Sequence, residues 1–250
     1  MTFFEKIITH LSYLRQPAKR KMIQLASTFT NLEGIEVGGP SAFFGFKSAF
    51  PIYIYAHKID GVNFSTHTLW EGQLQQGSEY HYYKNKKGIQ YIAEAANLKE
   101  IKNESYDFVL SCHSLEHLAN PIKAIKDWSR VMKNKGRLVL VLPDKEFTFD
   151  HKRPITTLAH LIEDYNNNIT EEDTTHFDEV IALHDFSYDH FVSSKEELIQ
   201  RTHHNIENRA VHHHVFNLSL VKELLAYCNF EVIHQQTYPP FHLVTVAQKI

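Results

Sequence analysis

The chain has 250 residues, 43% hydrophobic and 22% charged, which suits one large folded domain, or one carrying an insertion, and excludes a disordered or fibrous chain. Lys plus Arg is 26 and Asp plus Glu is 29, a formal net charge of −3. This excludes the concentrated positive charge of a dedicated nucleic-acid or anionic-membrane binder. The two cysteines, Cys112 and Cys228, exclude a disulfide scaffold and a Cys-rich zinc site and read as small buried residues.

In chain order, residues 1–30 predict helices. Ile7, Ile8, Leu11 and Leu14 recur at helical spacing, as do Met22, Ile23 and Leu25 after a basic stretch. Charges and a His stand where a signal peptide would be apolar. Gly34–Val37 is a short strand running into the turn Gly38-Gly39-Pro40-Ser41. Pro51–Tyr55 and Asp60–Phe64 read as strand, residues 65–88 as loop or edge structure, and Ile89–Ala93 as strand ending at Glu94. Tyr106–Ser111 is a continuous apolar strand of the buried, parallel type. Asn120-Pro121 starts a helix, with Ile122, Ile125, Trp128, Val131 and Met132 as its apolar face. Asn134-Lys135-Gly136 stops it and Arg137–Leu142 is the next strand, a parallel crossover unit. The tail holds the helix Leu218–Cys228 and the strands Phe230–His234 and His242–Ala247. Their short link suits an antiparallel pair.

Residues 143–217 interrupt this alternation, with a helix around Thr156–Asn166. Ten of the 18 histidines lie between His151 and His214. We read the stretch as an insertion that caps the site within a single domain spanning 1–250. The longest clean apolar run, Leu138–Leu142, is too short to span a bilayer. The expectation is a cytoplasmic protein, with no membrane insertion, no nucleic-acid partner and a small-molecule substrate. The oligomeric state stays open.

Alternating strands and helices imply an open doubly wound sheet, whose ligands bind at the carboxyl ends of the strands. The turn Gly38-Gly39 allows close backbone approach to a ligand. Asp60, 22 positions after Gly38, is placed to accept from ribose hydroxyls. Taken alone this is also the pattern of an ordinary βα turn, because the third glycine of a GxGxxG fingerprint is missing.

The string Tyr106–Asp144 resembles the signature of class I S-adenosylmethionine-dependent methyltransferases, in particular the small-molecule branch often called type 11. The matching pieces are Tyr106-Asp107, Leu115-Glu116-His117 and Arg130–Gly136. The resemblance covers about residues 32–142 and 215–248. It implies a Rossmann-like α/β fold with a seven-stranded, mostly parallel sheet, its last strand antiparallel, and S-adenosylmethionine as cofactor. The family's first motif corresponds to Glu36-Val37-Gly38-Gly39-Pro40-Ser41, with Pro40 departing from the glycine pattern. This loop would hold the methionine part. The ribose would fall to Asp60, with Asn63 or Glu71 as alternatives. Glu94 and Ala95 would meet the adenine, and Ser111, Cys112 and His113 would line the sulfonium side. Stretches such as Phe149–Pro154, His184-Asp185 and His212–Phe216 further resemble a His-rich bacterial subgroup found near surface-polysaccharide genes.

Methyl transfer from a sulfonium needs alignment, and a base if the acceptor is a hydroxyl. His117 and His151 are the candidate bases. Arg153, His184, Asp185 and His213 are candidate acceptor contacts; Arg153 could instead pair with Asp150 or Glu163. A divalent metal could join the histidines, although the spacing matches no recognised site and the sequence does not require one. Adjacent residues His212–His214 cannot all face one ion, because neighbours on an extended chain alternate sides. The expected activity is methylation of a small acceptor, foremost an oxygen of a sugar or surface-polysaccharide precursor. The alternatives are a non-catalytic Rossmann-like binding protein, or an enzyme of another nucleotide cofactor such as a nicotinamide.

Overall fold

The computed structural model describes residues 3–250. Helices α1 (Phe3–Arg15) and α2 (Arg20–Ser27) lead into strand β1 (Glu33–Val37), which is buried after its first residue. Further strands follow at β2 (Lys58–Asn63), β3 (Glu79–Tyr83), β4 (Lys86–Ile92), β5 (Tyr106–Cys112), β6 (Met132–Pro143), β7 (Phe230–Tyr238) and β8 (His242–Lys249). They form one sheet in the order β3-β4-β2-β1-β5-β6-β8-β7. Strands β4, β2, β1, β5 and β6 are mutually parallel. Strand β8 lies antiparallel between β6 and β7, and β3 is antiparallel to β4.

The central strands are covered on both faces, so their residues divide between two cores with the strand period of two. Val109, Leu138, Leu140 and Leu142 face one core, with Ile122, Ile125 and Trp128 of α4 (Pro121–Val131) and Leu220 and Leu224 of α9 (Leu218–Tyr227). Phe108, Leu110, Val139 and Val141 face the other, with Met22, Phe29, Phe44, Phe50 and Tyr53. Helix α4 starts where its caps dictate: the Asn120 side chain accepts from Lys123 N, and Pro121 takes a position whose N–H would be unpaired anyway. The buried Trp128 Nε1 donates to Ala95 O at 2.8 Å, tying α4 to the segment after β4.

Two elements differ from the sequence-based expectation. The sheet has eight strands rather than seven, because residues 79–83 pair with β4. The stretch 65–88 read as loop or edge structure, and 79–83 is such an edge, with Tyr80 and Tyr82 buried in alternation with exposed neighbours, the strand period. Ile52–Tyr55 forms a short helical turn, α3, not a strand. All four of its side chains are buried, and a short apolar run carries no period to tell the two apart.

Between β6 and α9, residues 144–217 hold α5 (Leu158–Asn166), α6 (Phe177–Leu183), α7 (Lys195–His203) and α8 (Asn205–Asn208). The segment is tied to the carboxyl-end loops of the sheet. Asn120 Nδ2 donates to Asp164 O at 3.1 Å, His214 N to Glu116 O at 3.4 Å, and Arg209 to Glu94 Oε1 at 2.7 Å. Among the described residues no helix is long and apolar enough to cross a membrane.

Candidate active site

The carboxyl end of β1 runs into a turn that only glycine fits. Gly38 has φ 79°, and a Cβ there would lie 2.1 Å from Ser114 Oγ. That hydroxyl donates to Val37 O at 3.1 Å. Beneath the turn lies Glu36, 1% exposed. Its Oε1 accepts from Ser41 N at 3.0 Å, and its Oε2 from the hydroxyls of Tyr53 at 2.5 Å and Tyr80 at 2.8 Å. Tyr80 reaches Glu36 across β2 because Gly61 has no side chain; a Cβ there would stand 2.2 Å from the tyrosine ring. Burial pushes the Glu36 carboxyl up to about 7 against these three donors, and the charge of Glu71 adds to the rise. Glu36 therefore shapes the turn from below. Asn63 Nδ2 secures it from the side by donating to Gly39 O at 3.1 Å. The peptide between Gly39 and Pro40 is cis.

Asp60 is committed elsewhere. Its Oδ1 accepts from Ile89 N at 2.7 Å and pairs with Lys58 at 2.8 Å, and its Oδ2 accepts from Tyr106 OH at 2.7 Å. It lies within β2, three residues before the strand ends at Asn63. Asn63, and Glu71 beyond it, are thus the ribose candidates near the glycine turn. Glu94 accepts from Arg209, which also pairs with Glu171 at 3.0 Å and has its guanidinium 5.2 Å from the Phe64 ring centre. Ala95 supplies the carbonyl that Trp128 uses. Ser111 is buried in β5 with an unpartnered hydroxyl. A glycine turn free of side chains, polar groups at the end of β2 and this orphan hydroxyl are what a sulfonium nucleoside with a ribose and an amino-acid tail would use, so these residues fit S-adenosylmethionine.

Beyond β5, His113 takes the left-handed conformation (φ 51°) and its Nε2 meets His242 Nδ1 at 2.9 Å. The next turn is Leu115–His117. His117 Nδ1 lies 3.1 Å from Val211 O; a carbonyl only accepts, so Nδ1 holds the proton and Nε2 the lone pair. His212 is fixed the same way, its Nδ1 donating to Asp150 Oδ2 at 2.5 Å. Glu116 is 1% exposed and neither of its oxygens has a hydrogen-bond partner; His113 Nδ1 is 3.5 Å away. One side-chain ligand atom from each of Glu116, His117 and His212 falls within 4.8 Å of the others. Burial raises the Glu116 carboxyl, but the three imidazoles around it outweigh this and hold it below the usual range. Burial, with His212 alongside, pushes His117 down to about 4. The exposed Trp70 ring is 5.8 Å from that of His117.

The other predicted contacts separate into structural pairs. Arg153 is 1% exposed and spans Asp150 Oδ1 at 2.9 Å, Glu179 Oε1 at 2.8 Å and His212 O at 2.8 Å, so it braces the histidine run. His151 Nε2 meets Asp185 at 2.7 Å. His184 Nε2 lies 3.2 Å from Asp189 and its ring stacks on Phe149. His213 points into the segment's interior, 3.2 Å from Asn205 Nδ2, and does not join His117. Glu116, Arg209 and His212 were given no site role from sequence, and Asp150 only that of a partner for Arg153. The Leu-Glu-His signature and the histidine run were the only signals available.

A family model described as Methyltransferase domain matches residues 49–140. No curated protein matches the chain in sequence. A solved S-adenosylmethionine-dependent methyltransferase from Mesorhizobium loti is 10% identical, with 94% of this chain and all of that one covered at a TM-score of 0.52. One from Methanosarcina mazei is 17% identical, covering 91% and 97% at 0.50. At such identities the likeness speaks for the fold. The matched segment runs from the aromatic stretch before α3 through most of β6, with the Leu115-Glu116-His117 turn inside it. Over residues 49–140 the chain is thus similar to a methyltransferase domain, on a sheet of the same fold as the solved methyltransferases.

Proposed function

We propose that the chain methylates an oxygen of a small polar acceptor, a sugar or surface-polysaccharide precursor being the favoured class. The observation that carries this reading is the Glu116, His117 and His212 group at the carboxyl end of β5. The glycine turn, Asn63, Glu71 and Ser111 would hold S-adenosylmethionine, which supplies a methyl group on an excellent leaving group. His117, its Nε2 unprotonated, accepts the acceptor's hydroxyl proton, and Glu116 stabilises the imidazolium that results. A base of low pKa suffices. As the oxygen–methyl bond forms, the hydroxyl becomes strongly acidic and its proton leaves late. Asp150 and Val211 act as orienting partners that fix the two imidazoles. The exposed Trp70 offers a flat apolar face beside a polar, buried group, which suits a sugar ring.

The test is a methyl-transfer screen with sugar nucleotides, followed by His117→Ala on any acceptor found. This reading expects kcat to fall by about 100-fold or more while S-adenosylmethionine affinity holds. Methyl transfer to nitrogen acceptors only, or an unchanged kcat, would contradict it.

A further inference from the structure

Away from that group, the segment between β6 and α9 assembles a second set of ligands. His160 and Asp164 stand one turn apart on α5, so they share a face. His176 precedes α6, and His214 comes from the extended run before α9. One ligand atom from each of the four falls within 4.8 Å of the others. His160 Nε2 is 3.1 Å from His176 Nε2 and 3.4 Å from Asp164 Oδ2; His214 Nε2 is 3.6 Å from the same oxygen. We propose that His160, Asp164, His176 and His214 form a four-ligand zinc site that fastens this segment together.

The distances suit a shared ion. Ligands about 2.0–2.1 Å from a tetrahedral zinc stand about 3.3 Å from each other, close to the 3.1, 3.4 and 3.6 Å of the three pairs above. Asp164 Oδ2 is buried without a hydrogen-bond partner, and His214 Nε2 has only a long contact, 3.3 Å, with Ala119 O, so the cluster is not satisfied by its own contacts. Unpaired buried polar atoms of this kind are costly unless something else meets them. Three imidazoles and one carboxylate select zinc over magnesium or calcium, which prefer all-oxygen shells. Four protein ligands leave no open position, the mark of a structural rather than catalytic site. Two of the four pieces lead to the candidate active site. His214 is two residues from His212 along the same run of chain, and Asn120, which caps α4, donates to the backbone carbonyl of Asp164. A zinc ion here would therefore set the position of His212 without touching the acceptor.

The experiment uses the full chain, stripped with a chelator, reloaded with zinc, passed through gel filtration and analysed by mass spectrometry for metal. A parallel sample is loaded with cobalt(II). The expected result is about one firmly held zinc per chain and the intense visible absorption of four-coordinate cobalt. Asp164→Asn and His176→Ala should each lose that zinc and the cobalt spectrum, while Glu116→Gln keeps both. Zinc should also raise the melting temperature of the wild type and not of Asp164→Asn, a readout independent of activity. Folded wild type, judged by circular dichroism, that holds no zinc would overturn the proposal. So would Asp164→Asn retaining the full equivalent, or loss of the ion only in Glu116→Gln, which would place the metal in the other group.

Discussion

Replacing Gly38 by Ala tests how the glycine turn is built. The residue sits at φ 79°, where a side-chain-bearing residue costs about 1–2 kcal/mol. The new Cβ would stand 2.1 Å from Ser114 Oγ and 3.1 Å from Ser114 Cβ. The hydroxyl must therefore swing away and release Val37 O and Cys112 O, a further loss of about 1 kcal/mol. The expected total is about 2–3 kcal/mol in urea unfolding, with S-adenosylmethionine affinity reduced about tenfold or more because the turn no longer lies flat. The geometry also predicts a rescue. In a Ser114→Ala background the closest contact relaxes to 3.1 Å, so only the backbone cost remains and Gly38→Ala should lose about 1–2 kcal/mol. Four proteins and one double-mutant cycle measure the difference, a coupling of about 1 kcal/mol. An equal penalty in both backgrounds, or no penalty at all, would show that Ser114 does not define the turn.

Three further outcomes follow from the charges. Glu36 has its pKa raised to about 7, so its contribution is full at pH 4.5 and is lost as pH rises through 7. The stability of wild type minus that of Glu36→Gln should fall by about 3 kcal/mol between pH 4.5 and 8, and a flat difference in urea titrations would show that Glu36 stays ionised throughout. Asp150 is the opposite case: burial alone would raise its pKa, but His212 and Arg153 hold it down to about 2, so its contribution is present above pH 4 and fades as pH drops toward 2. Asp150→Asn should cost about 3–5 kcal/mol, because Arg153 is then buried with Glu179 as its one acidic partner; a loss under 1 kcal/mol would sink that view of the brace. With His117 at about 4, the rising limb of the kcat profile should lie near pH 4. A limb at 6.5 that vanishes in His117→Ala would mean the imidazole titrates as though exposed.

The segments legible in the sequence were those whose pattern is local. Tyr106–Asp144 reads as strand, capped helix and strand because each piece carries its own period and its own cap, and the chain folds that way over β5, α4 and β6. The statement that His212–His214 cannot all face one ion rests only on alternation along an extended chain. The three rings do part, toward Asp150, Asn205 and Asp164. What could not be read is which distant partner each side chain meets. Asp60 was chosen by counting from Gly38, but β2 continues to Asn63, so the carboxylate is spent on Ile89, Lys58 and Tyr106. Arg153 read either as an anion clamp or as a partner of Asp150, and the second holds: Asp150, Glu179 and the carbonyls of His212 and His213 enclose it. Residues 79–83 lie in a stretch that read as loop or edge structure, and only their pairing with β4 decides for the edge strand.

The most direct measurement is calorimetric titration of S-adenosylmethionine into purified, metal-stripped protein, repeated with added divalent ions and with NAD in its place. The account predicts micromolar binding of S-adenosylmethionine without metal and none of NAD. No heat from S-adenosylmethionine, with or without metal, would contradict it and return the chain to the class of non-catalytic binding proteins.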